Sequence, residues 1–182
     1  MSIRKRAFIA KGRLKIENRE LRICNCRGAD QDVDPLRSAL LEEVAPGLLA
    51  LGVDGLRLEV EEPAGKILRT GSMPDGGLLC GSVSIWLDSY DNRAPHEALL
   101  GSLDAQVHGW IVAESIAKAY GARRTWPDGE QSPGMSILTF FDKGEGVSLD
   151  DYYRIWHGEH TPLTFEIHPF WLYVRNQVLR SI

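Results

Sequence analysis

The sequence lacks several features that would assign a function directly. No apolar run approaches the roughly 20 residues that a membrane span needs, so we expect no membrane partner. No G-x-S-x-G elbow, phosphate loop or dinucleotide fingerprint is present. Cysteine occurs only three times, at Cys24, Cys26 and Cys80, and the basic start leads into no apolar signal region. An odd cysteine count without a secretory signal predicts reduced cysteines that pack in the core and a cytoplasmic location.

Charge is nearly balanced and gives no overall nucleic-acid footprint. Lys plus Arg number 21 and Asp plus Glu 25, for a formal net charge of -4, so we expect no nucleic-acid partner. Positive charge is concentrated in residues 1–27, which hold nine Lys and Arg. We interpret this segment as a basic, solvated edge, with an anionic partner as the alternative. The 43% hydrophobic content is ample for a folded core.

Hydrophobic periodicity predicts an α+β protein with antiparallel sheets. Residues 20–120 show the order β-α-β-β-α-β, which is the split β-α-β arrangement of a ferredoxin-like unit. Residues 1–19 form a basic N-terminal segment with a possible extra strand, and the polar, Pro- and Gly-containing residues 121–134 are a candidate linker. Residues 135–182 read as strand (135–141), helix (148–160) and strand (170–179), or half of a second unit.

Alternation along three predicted strands divides their side chains into two sets. One set is aliphatic and suits packing against helices, as with Val83, Ile85 and Val107. The other set combines aromatic rings with polar tips: Trp86, His108, Trp110, Trp171, Tyr173 and Arg175. We expect a second sheet to cover this aromatic face, either around a ligand pocket or as a plain interface.

The stretch "SLDDYYRIWHGEH" predicts an amphipathic helix that starts at the N-cap Ser148. On an α-helix Tyr153, Trp156 and His160 share the stripe that faces the protein, while His157 lies on the other side. Pro162 places His160 at or near the helix end. His160 is thus either a proton-transfer residue or a buried, hydrogen-bonded histidine. "HGEH" lacks the H-E-x-x-H order, so we expect no metal site.

The residues from Met135 to Leu179 resemble the first half of EthD-domain proteins. The shared pattern is a strand, a helix that ends in Trp, the sequence His-x-Pro-Leu, and a strand that bears Tyr and Asn. In this chain the matching residues are Tyr153, Trp156, His160, Pro162, Leu163, Tyr173 and Asn176. It implies a dimeric α+β barrel in which two ferredoxin-like units face each other around a cavity. The chain stops at Ile182, so we expect the second unit to be a half-unit that is incomplete at its C-terminus. Either the sequence is shortened or a partner chain completes the sheet. Because an open sheet edge favours association, we expect a homo-oligomer.

The expected ligand is a small aromatic or polyketide-like compound. The candidate catalytic residues are His160 as the general acid/base and Tyr153 and Tyr173 as orienting groups. The candidate substrate-binding residues are Trp156, Trp171, Arg175, Asn176, Trp86, His108 and Trp110. The resemblance implies either a cofactor-independent oxidoreductase or a dehydratase- or cyclase-type lyase. A non-catalytic ligand-binding protein and a module that only assembles remain alternatives.

Overall fold

A computed structural model describes residues 19–26, 34–60 and 78–182. Within these ranges five strands form one antiparallel sheet: β1 (Arg19–Cys26), β2 (Gly55–Val60), β3 (Leu78–Trp86), β4 (Gln106–Lys118) and β5 (Tyr173–Ser181). Their order across the sheet is β2-β3-β1-β4-β5. The chain is therefore a mixed α+β protein, and its described elements between residues 20 and 120 follow the order β-α-β-β-α-β. The possible strand within residues 1–18 lies outside the described residues.

Two of the helical segments contain a π-helical turn that ends two residues before a proline. The first runs through α1 (Asp34–Ser38), the π turn Ala39–Val44 and α2 (Ala45–Leu51). After the short helix α3 (Ala94–Gly101), the last segment runs through α4 (Leu149–Tyr153), the π turn Arg154–His160 and α5 (Thr161–Ile167). Proline has no N–H for the carbonyl four residues back, and its ring clashes with that carbonyl in an α-helix. The wider π turn moves this carbonyl away, so each helix continues past its proline.

The last helical segment begins where the sequence predicts and ends later. The hydroxyl of Ser148 accepts a hydrogen bond from the Asp151 N–H at 3.0 Å and donates one to the Asp151 carboxylate at 2.8 Å. This cap confirms the predicted helix start. The predicted end near His160 is wrong, because the helix continues to Ile167 with Pro162 in the first turn of α5.

The main hydrophobic core lies between one face of the sheet and the first two helical segments. Leu40, Leu48 and Leu100 from the helices pack with Val83 and Ile85 of β3, and all five are fully buried. A fully buried side chain of this size contributes about 1.5–3 kcal/mol. The prediction that the aliphatic set of β3 faces helices is confirmed.

The opposite face of the sheet carries a segment of the same chain. The predicted strand over 135–141 is wrong, since these residues form neither helix nor strand. Ser136 Oγ donates to Glu59 Oε1 of β2 at 2.8 Å, and the Phe140 ring lies 5.9 Å from Trp110 of β4. In the sheet β2 and β4 are three strand spacings apart, about 14 Å. Ser136 and Phe140 are four residues apart, and four extended residues span roughly 13–14 Å. The segment therefore crosses the strands, and the second sheet expected on this face is not found among the described residues.

The remaining expectations for this part of the chain concern cysteine, membrane helices and domain division. Cys80 is buried and disulfide-bonded, so the expectation of reduced cysteines is wrong for Cys80, and the cytoplasmic location stays a prediction without that support. No helix in the described ranges has the length and apolar character needed to cross a membrane. β5 pairs with β4 and so joins the same sheet as the other strands, while the proposed linker at 121–134 stays a prediction.

Candidate functional site

A cavity of about 420 Å³ opens between the C-terminal pair of strands and the π turn of the last helix. The register of the two strands places Ser115 opposite Arg175 and Ala113 opposite Gln177, on the helix-covered face. The cavity is lined by residues of β4, of β5 and of the π turn: Ala113, Glu114, Ser115, Arg175, Gln177, Leu179, Trp156 and His157. Its size falls within the range of about 300–1,000 Å³ that small-molecule sites occupy.

Arg175 supplies the positive charge of this cavity. Its Nη2 donates a hydrogen bond to Ser115 Oγ at 3.1 Å. Its Nε is buried and finds no hydrogen-bond partner in the part of the chain that the structure describes. Burial lowers the pKa of the guanidinium, and the nearby Tyr173 opposes this shift. Arginine nevertheless remains charged at neutral pH, so a partly buried cation faces the cavity.

Trp156 forms the aromatic wall and belongs to a cluster of rings. Its ring centroid lies 5.1 Å from Phe141, 5.5 Å from Tyr152 and 4.9 Å from His157. The indole Nε1 is buried and has no acceptor among the described residues. Buried donors are normally satisfied, so this indole N–H, on a residue that lines the cavity, is a donor still without its acceptor among the described residues.

His157, not His160, is the histidine that reaches the cavity. Burial lowers the pKa of His157, and the positive charge of Arg175 lowers it further. The ring is therefore neutral near pH 7, with one nitrogen available to accept a proton. Tyr153 packs against this ring at a centroid distance of 5.3 Å and so supports it from within the helix.

The π turn explains why the expected orientation of His160 is wrong. Bonds in a π turn link residues five apart, so the residue that follows Trp156 on the same face is Thr161. Thr161 is 5% exposed; its N–H bonds the carbonyl of Trp156, and its Oγ1 donates to the same carbonyl at 2.8 Å. His160 and His157 are both exposed, but His157 lines the cavity, whereas His160 does not and has its Nδ1 3.4 Å from Thr164 Oγ1.

The other residues proposed from the sequence are distributed over several places. Tyr173 packs against Phe165 at 5.4 Å and Phe170 at 5.8 Å, and Trp171 is 41% exposed. Asn176 neighbours Arg175 in β5 and, by alternation, points to the opposite face. None of these three is among the residues that line the cavity.

The aromatic residues of the first four strands lie on the sheet face away from the cavity. The guanidinium of Arg57 lies 5.7 Å from the Trp86 ring. His108 and Trp110 stack at 6.1 Å, and Phe140 covers Trp110. The expectation of one continuous aromatic face that includes Arg175 is therefore wrong, because β5 pairs in a register that turns Arg175 toward the helices.

Besides His157, sequence reasoning missed five residues that line the cavity: Ala113, Glu114, Ser115, Gln177 and Leu179. Ser115 and Gln177 carry no motif, and only the pairing of β4 with β5 brings them together. The sequence did contain a signal for His157. A helical pattern that continues past Pro162 requires a local departure from α-helical geometry, and such a departure changes which side chains share a face.

A second cavity of about 400 Å³ lies at the other end of the sheet, beside Asp88, Asp91, Asn92 and His96. His96 is 4% exposed, and its Nδ1 donates to the Asn92 carbonyl at 3.0 Å. Within the described residues no group of three or more His, Cys, Asp or Glu could hold a metal ion. This second cavity has neither the aromatic wall nor the partly buried cation of the first, and we therefore take the first cavity as the candidate site.

Comparisons with protein-family models, with curated proteins and with solved structures found no match.

Proposed function

We propose that this protein binds a small aromatic or polyketide-like compound in the cavity beside Trp156 and that His157 transfers a proton in a lyase-type reaction. The observation that carries the proposal is the convergence of Trp156, His157 and Arg175 on one cavity. An indole wall, a neutral imidazole and a partly buried cation are the groups that binding a ring, accepting a proton and stabilising an oxyanion require.

The proposed reaction is a dehydration beside a ketone. His157 accepts the proton of the carbon next to the carbonyl, and the electron pair of that C–H bond moves onto the carbonyl oxygen. The guanidinium of Arg175 stabilises the resulting negative charge. The electron pair then returns, the bond to a neighbouring hydroxyl breaks, and the imidazolium of His157 protonates the leaving oxygen to give water. The ligand loses water and no electrons are gained or lost.

We further propose that the fold is a ferredoxin-like unit of the EthD, dimeric α+β barrel kind. The antiparallel order β2-β3-β1-β4, with helices after β1 and β3, supports the unit. Support for a homodimer comes from β5, which ends the sheet with no neighbour on its outer side among the described strands. Ile116 and Val178 of the last two strands are also more than half exposed. An open apolar edge of this kind favours association.

Turnover by two histidine variants tests the mechanism. Aromatic β-hydroxyketones are offered to the protein, and dehydration is followed by the absorbance of the conjugated product. We expect His157→Gln to lower kcat/KM by about 100-fold or more, the usual contribution of general acid/base catalysis. His160→Gln is the matched control, since it changes an exposed histidine three residues away, and should leave kcat/KM within about twofold.

The outcomes of this assay separate the candidates. A loss in His160→Gln alone would restore the role expected from the sequence and overturn the role of His157. Binding of these compounds without product would favour the non-catalytic alternative. Consumption of oxygen without dehydration would favour the oxidoreductase.

The dimer is tested by light scattering after size-exclusion chromatography. We expect Val178→Lys to shift the protein toward monomer, whereas Leu51→Lys, a change of an exposed apolar residue at the end of α2, should not. A monomeric wild-type protein at micromolar concentration would refute the dimer.

A further inference from the structure

We propose that the ligand of this cavity carries a carboxylate, which Arg175 binds. The inference rests on the proposed small-molecule function and specifies the chemical class of its ligand. It concerns recognition, and in the proposed reaction the ligand carboxylate and the carbonyl oxygen would share the N–H donors of Arg175.

The first support is the incomplete set of partners around the guanidinium. Arg175 has five N–H donors in a planar fork that fits two carboxylate oxygens. Its side-chain hydrogen bond within the described residues goes to Ser115, a neutral hydroxyl, and Nε has no acceptor there. A partly buried cation that pairs with no carboxylate of the described chain is stabilised when a ligand provides one.

The second support is the indole of Trp156. Its buried Nε1 is a donor that also finds no acceptor among the described residues, and Trp156 lines the same cavity. Donors can be satisfied only by acceptors, which favours a ligand end rich in oxygen over an amine. The positive charge of Arg175 disfavours a cationic ligand further.

The cavity lining also defines the rest of the ligand. Ala113, Leu179 and the ring of Trp156 offer apolar surface next to the cation. Glu114 is also among the lining residues, but it pairs with Asn176, so by alternation its side chain points to the opposite face, and it interacts with other groups of the chain. A volume near 420 Å³ suits a compound of one or two rings. The cavity is therefore matched to an aromatic carboxylate.

The test compares 2-naphthoate with 2-naphthamide, which have the same ring and nearly the same shape and differ in charge. Binding to the full-length protein is measured by calorimetry and by quenching of tryptophan fluorescence. We expect the wild-type protein to bind the acid at least tenfold more tightly than the amide. Arg175→Met should abolish this preference, and Arg180→Met, which removes one exposed positive charge from the same strand, should preserve it.

Each result decides a different claim. Equal affinity for acid and amide, or an unchanged preference in Arg175→Met, overturns the carboxylate assignment and leaves the small-molecule function standing. Failure of the wild-type protein to bind either compound overturns both. If Arg175→Met does not fold, Arg175→Lys is used, which keeps the positive charge and removes the planar, two-pronged set of N–H donors. It should lower the affinity for the acid by about tenfold and leave the affinity for the amide unchanged. A Lys variant with unchanged affinity for the acid would also overturn the assignment.

Discussion

Replacement of Thr161 by valine tests the π turn on which the candidate site depends. Thr161 Oγ1 donates to the carbonyl of Trp156 at 2.8 Å, and this bond joins two residues five apart. Valine has nearly the same shape, so the change removes the hydroxyl without leaving a cavity. The Trp156 carbonyl keeps the N–H of Thr161 as its donor, so no buried acceptor is left unpaired.

The expected loss is therefore that of one buried neutral hydrogen bond, about 0.5–1.5 kcal/mol. For a chain of this length 1 kcal/mol corresponds to roughly 2–4 °C in the midpoint of thermal unfolding. Circular dichroism melts and urea titrations of the wild-type protein and of Thr161→Val measure both quantities. Thr161→Ala should cost more, because it also deletes a buried methyl group.

Thr164→Val is the matched control. Thr164 is as buried as Thr161, one helical turn further on, but its hydroxyl lies 3.4 Å from His160 Nδ1, a longer and weaker contact. We expect a smaller loss than for Thr161→Val. If Thr161→Val were as stable as the wild-type protein, or if Thr164→Val lost more, the inference that the turn at Trp156 is π-helical and turns His157 to the cavity would be refuted.

Three further predictions follow from burial, charge and disulfide bonding. Leu40→Ala should lower the free energy of unfolding by about 2–5 kcal/mol, measured in urea, because Leu40 is fully buried in the core. In an NMR titration His157 should have a lower pKa than an unfolded histidine, and Arg175→Met should raise the pKa of His157. The unfolded chain binds this proton more tightly than the folded protein does. The contribution of His157 to stability is therefore lost as the pH falls through about 6.5, the pKa of the unfolded histidine, toward the lower pKa of the folded protein. Cys80 should resist alkylation in denatured protein until a reductant is added, and labelling without reductant would contradict the disulfide.

Local patterns predicted most of the secondary structure of the described chain. Alternation located β3 and β4, and the spacing of Leu40 and Val44 located the first helix. The Ser148 cap was recognised from the residue type and the acidic residue three positions later. These features depend on neighbours in sequence, so the sequence alone contains the relevant information.

Two errors arose where local pattern and chain context disagreed. Residues 135–141 have the composition of a strand but pair with none of the described strands, and they cross the sheet instead through contacts with Glu59 and Trp110. The helix after Ser148 was expected to end before Pro162, whereas a π turn carries it through the proline. Propensity cannot predict either outcome, because each depends on what else the chain can contact.

The sequence by itself determined the α+β class, the order of the described elements between residues 20 and 120, and the presence of Trp156 and Arg175 as candidate binding residues. Only the tertiary structure decided which histidine accompanies them and which face Arg175 occupies. Alternation gives the two faces of each strand separately, but the pairing register with β4 decides how the faces of β5 relate to those of the other strands. The phase of a helix likewise changes at a π turn, and this is why His157 lines the cavity and His160 does not.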